Sequence, residues 1–263
     1  MIQVPEATQP VRPAPRAWIA AASAMLACLA GGIAHAQVLL QPVVLELSPR
    51  QRSVIVSVSL SDKAVAPIRL QAELLLWRQD IQGKAVTEPN DDLLISPSIA
   101  DLKPGQRQVF RVAVRNPRPL PQEATYRLIL EDIAEAPVDE AGKPLPGISI
   151  RMRYDMPVMV AAAGKPIQSV RWKRCASTAA TRGPAEACVR VRNTGNRRIK
   201  VQSLQLAGDG WLQSLAIADR GTLLAGSERE WRVPLGGASG GSLRDVQVLT
   251  ARGDRLQAEP GDF

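Results

Sequence analysis

Few residues in this 263-residue chain could act as nucleophiles, and the most suggestive is Ser239. It is the central residue of "GASGG" (237–241), which fits the G-x-S-x-G pattern of hydrolases. That chemistry requires a histidine base, and the single histidine, His35, lies in the N-terminal apolar segment described below. The surrounding "LGGASGGSLRD" is typical of a flexible loop. We therefore expect no enzymatic activity, no cofactor, no catalytic residue and no metal site.

The cysteines offer a second kind of chemistry. Cys28 lies in the N-terminal apolar segment, which leaves Cys175 and Cys188 as an even pair on either side of "ASTAATRGPAEA". In an oxidising compartment such a pair forms a disulfide. We predict this bond, and two free structural cysteines are the alternative.

Arginines alternate with apolar residues in "GISIRMRYDMPVMV", residues 147–160. An apolar residue at every second position predicts a strand. The thirteen residues from Ile148 to Val160, at about 3.3 Å each, span roughly 43 Å, about twice the length of a typical strand. This apolar stripe is longer than the core of one domain needs. On its other face, Arg151 and Arg153 either protect an exposed edge or bind a carboxylate, and the sequence leaves both readings open.

The N-terminal 36 residues look like a secretory signal. Two arginines precede the apolar run "AWIAAASAMLACLAGGIAHA", which ends in an A-x-A cleavage site before Gln37. A membrane anchor and lipidation at Cys28 are the alternatives. We expect cleavage before Gln37, export, no stable membrane insertion and a location in the periplasm.

The remaining chain has the pattern of an all-β protein. Short alternating runs are separated by Pro, Gly, Asn and Asp, and no segment has a sustained helical period. Strands are predicted at 38–47, 53–62, 68–77, 109–115 and 125–133, with a polar loop at 79–92 and a short strand followed by a turn within 93–108. Small residues in "AAAGKP" (161–166) suggest a hinge. We expect one β domain over 37–162 and a second over 163–263.

The net charge of +8 could indicate a nucleic-acid partner, but the basic residues are spread along the strands rather than clustered with aromatics. We expect no nucleic-acid binding.

Four segments resemble the periplasmic chaperones of the chaperone–usher pathway for pilus assembly. They are "VVLELSPRQRSVIVSVSLSD", "LLISPSIADLKPGQRQVFRVAV", "PLPQEATYRLILEDI" and "ISIRMRYDMPV". The Leu-x-Pro-Gly and Leu-Pro motifs occur in the family's order. The resemblance covers most of the chain after residue 36, although the second domain matches only in general character.

The resemblance implies two immunoglobulin-like β-sandwich domains in a boomerang arrangement. It also implies that the protein lends its long strand to a pilus subunit, a form of β-augmentation, and delivers the complex to an outer-membrane usher. The donated residues would be Ile148, Ile150, Met152 and Tyr154. The free protein could cover this stripe by forming a dimer. The alternative function is a secreted two-domain structural or adhesive β protein, or a pilus component.

The sequence departs from the best-known branch of this family at the carboxylate anchor. That branch has an arginine in its first strand, and the corresponding position here is near the apolar Val44. The anchor would then come from Arg151, Arg153 or Arg111. These differences suggest a divergent branch, such as one that assembles archaic-type pili.

Overall fold

Every regular element in the described part of the chain is a β-strand, and there are nineteen of them. The computed structural model describes residues 37–135, 150–175, 186–217, 221–235 and 242–263. The first ten strands are β1 Val38–Gln41, β2 Leu45–Leu47, β3 Ser53–Leu60, β4 Ile68–Gln79, β5 Ala85–Pro89, β6 Leu93–Ser96, β7 Ile99–Leu102, β8 Arg107–Val114, β9 Ala124–Asp132 and β10 Arg153–Val160. The other nine are β11 Val170–Arg174, β12 Glu186–Asn193, β13 Ile199–Gly208, β14 Trp211–Ala216, β15 Thr222–Leu223, β16 Glu228–Pro234, β17 Leu243–Thr250, β18 Arg255–Gln257 and β19 Glu259–Pro260.

Strands β1 to β10 form a sandwich of two sheets. One sheet has the order β1-β3-β8-β6, and the other has the order β2-β10-β9-β4-β5 with β7 also paired to β4. Alternate residues of the strands point inward, so Val56, Phe110, Leu128 and Val158 are fully buried in one core. The all-β expectation is confirmed for the described residues.

The first long strand expected from the sequence is divided at Pro42. Before it, β1 pairs with β3 in one sheet; after it, β2 pairs with β10 in the other. Proline has no N–H to donate to a neighbouring strand, so a strand that ends at Pro42 loses no hydrogen bond from this residue's nitrogen. This change of sheet brings β2 beside the end of β10.

Strands β11 to β19 form a second sandwich with its own core. Its sheets have the orders β16-β12-β11-β19 and β14-β13-β17-β18, with β15 paired to β13. Val191, Leu204 and Val248 are fully buried there. The boundary near residue 163 lies between the two cores and remains a prediction.

The two sandwiches contact each other through apolar and polar groups. Trp77 of β4 and Met159 of β10 pack with Leu224 in a small cluster that is separate from both cores. The Gln79 side chain donates to the Thr222 carbonyl at 2.8 Å and accepts from the Leu224 N–H at 3.0 Å. These contacts place the second sandwich against the end of β10.

One expectation was wrong. The predicted polar loop at 79–92 contains β5, which pairs with β4 in an antiparallel register. All five residues of β5 are exposed, so the strand has no apolar alternation for sequence analysis to detect.

"GASGG" (237–241) lies outside the described residues, and no helix of the described part is long and apolar enough to cross a membrane.

Candidate functional site: the open edge of strand β10

Strand β10 is paired along its whole length on one side only. All of Arg153–Val160 forms an antiparallel ladder with β9. On the other side, β2 pairs in parallel with Val158–Val160 alone. Within the described part of the chain, no strand therefore covers the other side of residues 153–157, which we call the open edge. Unpaired backbone donors and acceptors on such an edge can accept another strand.

The ladder is shorter than the alternating pattern suggests. β10 begins at Arg153, opposite Glu131 near the end of β9, whereas the sequence predicts a strand from residue 147. One more backbone bond follows, from the Asp132 N–H to the Met152 carbonyl at 2.9 Å. Beyond it β9 ends, so residues 150 and 151 have no partner strand within the described residues.

The apolar stripe changes surroundings along this segment. Met156, Val158 and Val160 are buried in the first core. Ile150 and Met152, which continue the same spacing, are 74% and 48% exposed. Ile148 lies outside the described residues. Two large apolar side chains are therefore exposed next to the open edge.

Tyr154 lies between the exposed apolar residues and the buried ones. Its ring is half-buried and packs against the first core. Burial raises the pKa of the Tyr154 hydroxyl above its usual range, and the charge of Asp132 adds to this effect. The phenol would be neutral at physiological pH even at its usual pKa of about 10, and the shift widens that margin.

The three candidate arginines do not form one cluster. Arg153 pairs with Glu131 across the ladder at 3.6 Å. Arg151 is exposed and forms no ion pair with any carboxylate in the described part of the chain. Arg111 lies on β8 in the other sheet, with its side chain on the solvent face beside the Ser53 hydroxyl at 3.4 Å. The structure thus places Arg151 and Arg153 on one segment and Arg111 on another sheet.

Sequence analysis missed an ionic cluster that links the sandwiches. Arg198 donates to both Glu123 and Glu46, and Arg197 lies 3.7 Å from Glu123 and 3.8 Å from Glu46. The Glu123 side chain is only 1% exposed, so it requires cationic partners. The hydrogen bond from Arg198 lowers the pKa of Glu46, and the nearby charges of Arg198, Arg197 and Arg252 add to the effect against partial desolvation. Glu46 lies opposite Met159 in the β2–β10 pairing, so the cluster secures the closed end of β10.

The signal for this cluster was present only in part. Both arginines directly follow "NTGN" (193–196), a sequence typical of a turn between two strands. The partners of Arg198 are 75 and 152 residues away in sequence. Sequence spacing alone does not reveal such a contact.

The predicted disulfide is confirmed. Cys175 and Cys188 are bonded, with their Cα atoms 5.4 Å apart. Neighbouring Val189 and Val191 point into the second core, so Cys188 lies on the outer face of β12. The bond therefore joins β11 and β12 at their surface, far from β10 in the chain.

Comparisons with known proteins agree with this geometry. Residues 37–164 match the family model of the PapD N-terminal domain, described as a pili and flagellar-assembly chaperone. A similar solved structure is the CsuC–CsuE chaperone–tip adhesion subunit pre-assembly complex from archaic chaperone–usher Csu pili of Acinetobacter baumannii. Its matched chain is 17% identical, with a TM-score of 0.59 over 86% of this chain and 100% of that chain.

Two further solved chaperones are similar in fold. The class 5 fimbriae chaperone CfaA is 12% identical, with a TM-score of 0.58 over 85% of this chain and 100% of that chain. The E. coli chaperone DraB is 15% identical, with a TM-score of 0.50 over 84% of this chain and 98% of that chain. No curated protein matches the chain by sequence.

The class of protein follows from the fold and from this match. The molecule is an all-β protein built from two immunoglobulin-like sandwiches. Residues 37–164 match the PapD-type N-terminal domain of the pilus-assembly chaperones, and the fold is that of solved chaperones of this kind.

Proposed function

We propose that this protein is a periplasmic chaperone that binds pilus subunits by donor-strand complementation and delivers them to an outer-membrane usher. The chaperone lends part of β10 and the residues before it to an incomplete subunit fold. The match of residues 37–164 to the pilus-assembly chaperones supports this role over that of a structural or adhesive β protein. A chaperone of this kind needs no enzymatic activity and no cofactor.

The observation that carries the proposal is the open edge of β10 together with the exposed side chains beside it. Addition of a strand requires unpaired backbone groups, and specificity requires pockets for alternate side chains. The open edge supplies the backbone groups over 153–157. Ile150 and Met152 supply exposed apolar side chains at alternate positions.

We propose Ile148, Ile150, Met152 and Tyr154 as the donated residues. Complete burial of one such aliphatic side chain contributes about 1.5–3 kcal/mol. Ile150 has the most surface left to bury among the described members. Tyr154 already packs against the chaperone's own core, so its contribution should be the smallest.

Among the candidate arginines, Arg151 is best placed to bind the C-terminal carboxylate of a pilus subunit. Its guanidinium has no competing carboxylate in the described part of the chain, whereas Arg153 is shared with Glu131. Arginine binds a carboxylate through two parallel hydrogen bonds. Arg111 remains a third candidate, although it lies on the other sheet.

Co-purification of a pilus subunit with a charged variant tests the proposal. Ile150→Asp should abolish co-purification of a co-expressed subunit, because a carboxylate would enter an apolar groove. Val65→Asp is a matched control, since Val65 is 92% exposed in the turn after β3. It should retain the subunit. If Ile150→Asp is folded and retains the subunit as well as the wild type, donor-strand complementation by this segment is wrong.

We also propose that the free chaperone covers its apolar residues by forming a dimer. Sedimentation over a range of protein concentrations should then show dimers for the wild type and monomers for Ile150→Asp. Wild-type protein that remains monomeric at high concentration would contradict this part of the proposal.

A further inference from the structure

A basic cleft lies in the second sandwich, beside the start of β13 and the end of β17. Its volume is about 210 Å³. This is room for several water molecules, so a small oxyanion fits. The polar residues that line the cleft are Gln168, Arg197, Arg198, Lys200, Thr250 and Arg252.

Two of these four cations are neutralised by the protein itself. Arg197 and Arg198 share the carboxylates of Glu46 and Glu123. Lys200 and Arg252 are exposed and form no ion pair with a carboxylate in the described part of the chain. The cleft therefore has four cationic side chains and two carboxylates paired with them, which leaves an excess of positive charge.

The backbone places the two unpaired cations on adjacent segments of the chain. Lys200 is in β13, and its carbonyl accepts a hydrogen bond from the Ala251 N–H at 2.8 Å. Arg252 follows in the turn after β17, where its N–H donates to the Thr250 hydroxyl at 3.2 Å. The next acid in this turn, Asp254, is occupied by the Thr250 hydroxyl at 3.3 Å. The "RGD" sequence at 252–254 is therefore a tight turn that presents the arginine and retains the aspartate.

We propose that this cleft binds a small oxyanion, either a phosphate or a carboxylate, through Lys200 and Arg252 with Arg197 behind them. Arginine offers a planar pair of N–H donors, and lysine offers a point charge with three donors. Both are the groups that oxyanion sites use. A bound oxyanion would offset the excess charge beside the ionic cluster that joins the sandwiches. The site is independent of the open edge of β10.

Titration with two probes at constant ionic strength tests the site. Inorganic phosphate and malonate are added separately to the whole protein, with chloride as the reference, and the amide resonances of residues 197–200 and 250–252 are followed by NMR. We expect saturable shifts for at least one probe. Saturation by phosphate alone assigns the site to phosphate groups, and saturation by malonate alone assigns it to carboxylates.

A matched pair of double variants separates a site from general charge attraction. Lys200→Gln with Arg252→Gln should weaken the apparent affinity at least about tenfold, because two charged donors are lost. Lys103→Gln with Arg50→Gln removes the same charge from exposed turns of the first sandwich and should leave the affinity unchanged. Shifts that do not saturate, or that weaken equally in both double variants, would overturn the proposal. All four substitutions are at exposed positions, so the fold should be retained, and thermal unfolding checks this.

Discussion

The two halves of the segment 150–160 have the same alternating pattern and opposite surroundings. Met156, in the second half, is 4% exposed and lies in the first core. Met152, in the first half, is 48% exposed beside the open edge. The pattern of apolar residues therefore specifies which side chains share a face, whereas packing between the two sheets of the sandwich determines whether that face is buried. Edge pairing is a separate matter, since β2 pairs with the strand only from Val158 onward.

The largest expected difference between the halves is in stability. Met156→Ala should lower the free energy of unfolding by about 2–5 kcal/mol, because a buried side chain leaves a cavity. Met152→Ala should change it by less than about 0.5 kcal/mol, as is usual for surface positions. Urea unfolding of both variants measures the contrast. Similar losses in the two variants would show that the first half also belongs to the chaperone's own core.

Loss of the disulfide should have the next largest effect, without altering the open edge. Replacing Cys175 and Cys188 by serine should cost about 2–4 kcal/mol, mainly because the unfolded chain gains freedom. Co-purification of the pilus subunit should be unchanged at temperatures where the variant is folded, since the bond lies in the second sandwich. A folded variant that fails to bind subunits would show that the second sandwich contributes directly to the binding site.

The closed half of β10 should be sensitive to acid through Glu46. Its pKa is lowered in the folded protein, so its ion pairs stabilise the fold above the usual glutamate pKa of about 4.3. This contribution is lost as the pH falls below that value through the lower pKa of the folded state. Glu46→Gln should therefore be less stable than the wild type at pH 7, and the difference should shrink as the pH falls below about 4.3. A difference that does not change with pH over this acid range would exclude this ionic role.

The smallest effect is expected at the start of the open edge. The Arg153–Glu131 pair is half exposed on both sides, and such pairs contribute about 0–1 kcal/mol. Arg153→Gln should therefore lower the free energy of unfolding by less than about 1 kcal/mol. The affinity of Arg153→Gln for a pilus subunit distinguishes the two roles considered for Arg153, which are binding of a carboxylate and protection of the edge. A large loss of affinity would assign Arg153 to the carboxylate anchor, and no loss would leave it as protection of the edge.

The sequence predicted the parts of the fold that depend on local alternation. Val56, Val58 and Leu60 point inward as their spacing indicates. β5 was missed because all its residues are exposed, so no apolar period marks it. The start of β10 was placed too early because alternation reports a shared face, whereas a ladder also needs a partner, and β9 ends at Asp132.

The candidate site was predictable only where it is formed by consecutive residues. Ile150, Met152, Arg151 and Arg153 follow one another in the chain, so their pattern could be read directly. The contact between Glu123 and Arg198 joins residues 75 positions apart, and it depends on how the sandwiches pack. The sequence likewise gives no distance between the candidate arginines. The structure places Arg111 on β8, in a different sheet from β10.

Amide hydrogen exchange of residues 150–156, with and without a pilus subunit, tests the central claim most directly. The amides that do not pair with β9 should exchange rapidly in the free protein, because no hydrogen-bonded partner protects them. In the complex, their exchange should slow at least about tenfold as the subunit's strand pairs with the open edge. Unchanged exchange of these amides in a complex that is fully formed would contradict the proposal that β10 donates its open edge to the subunit.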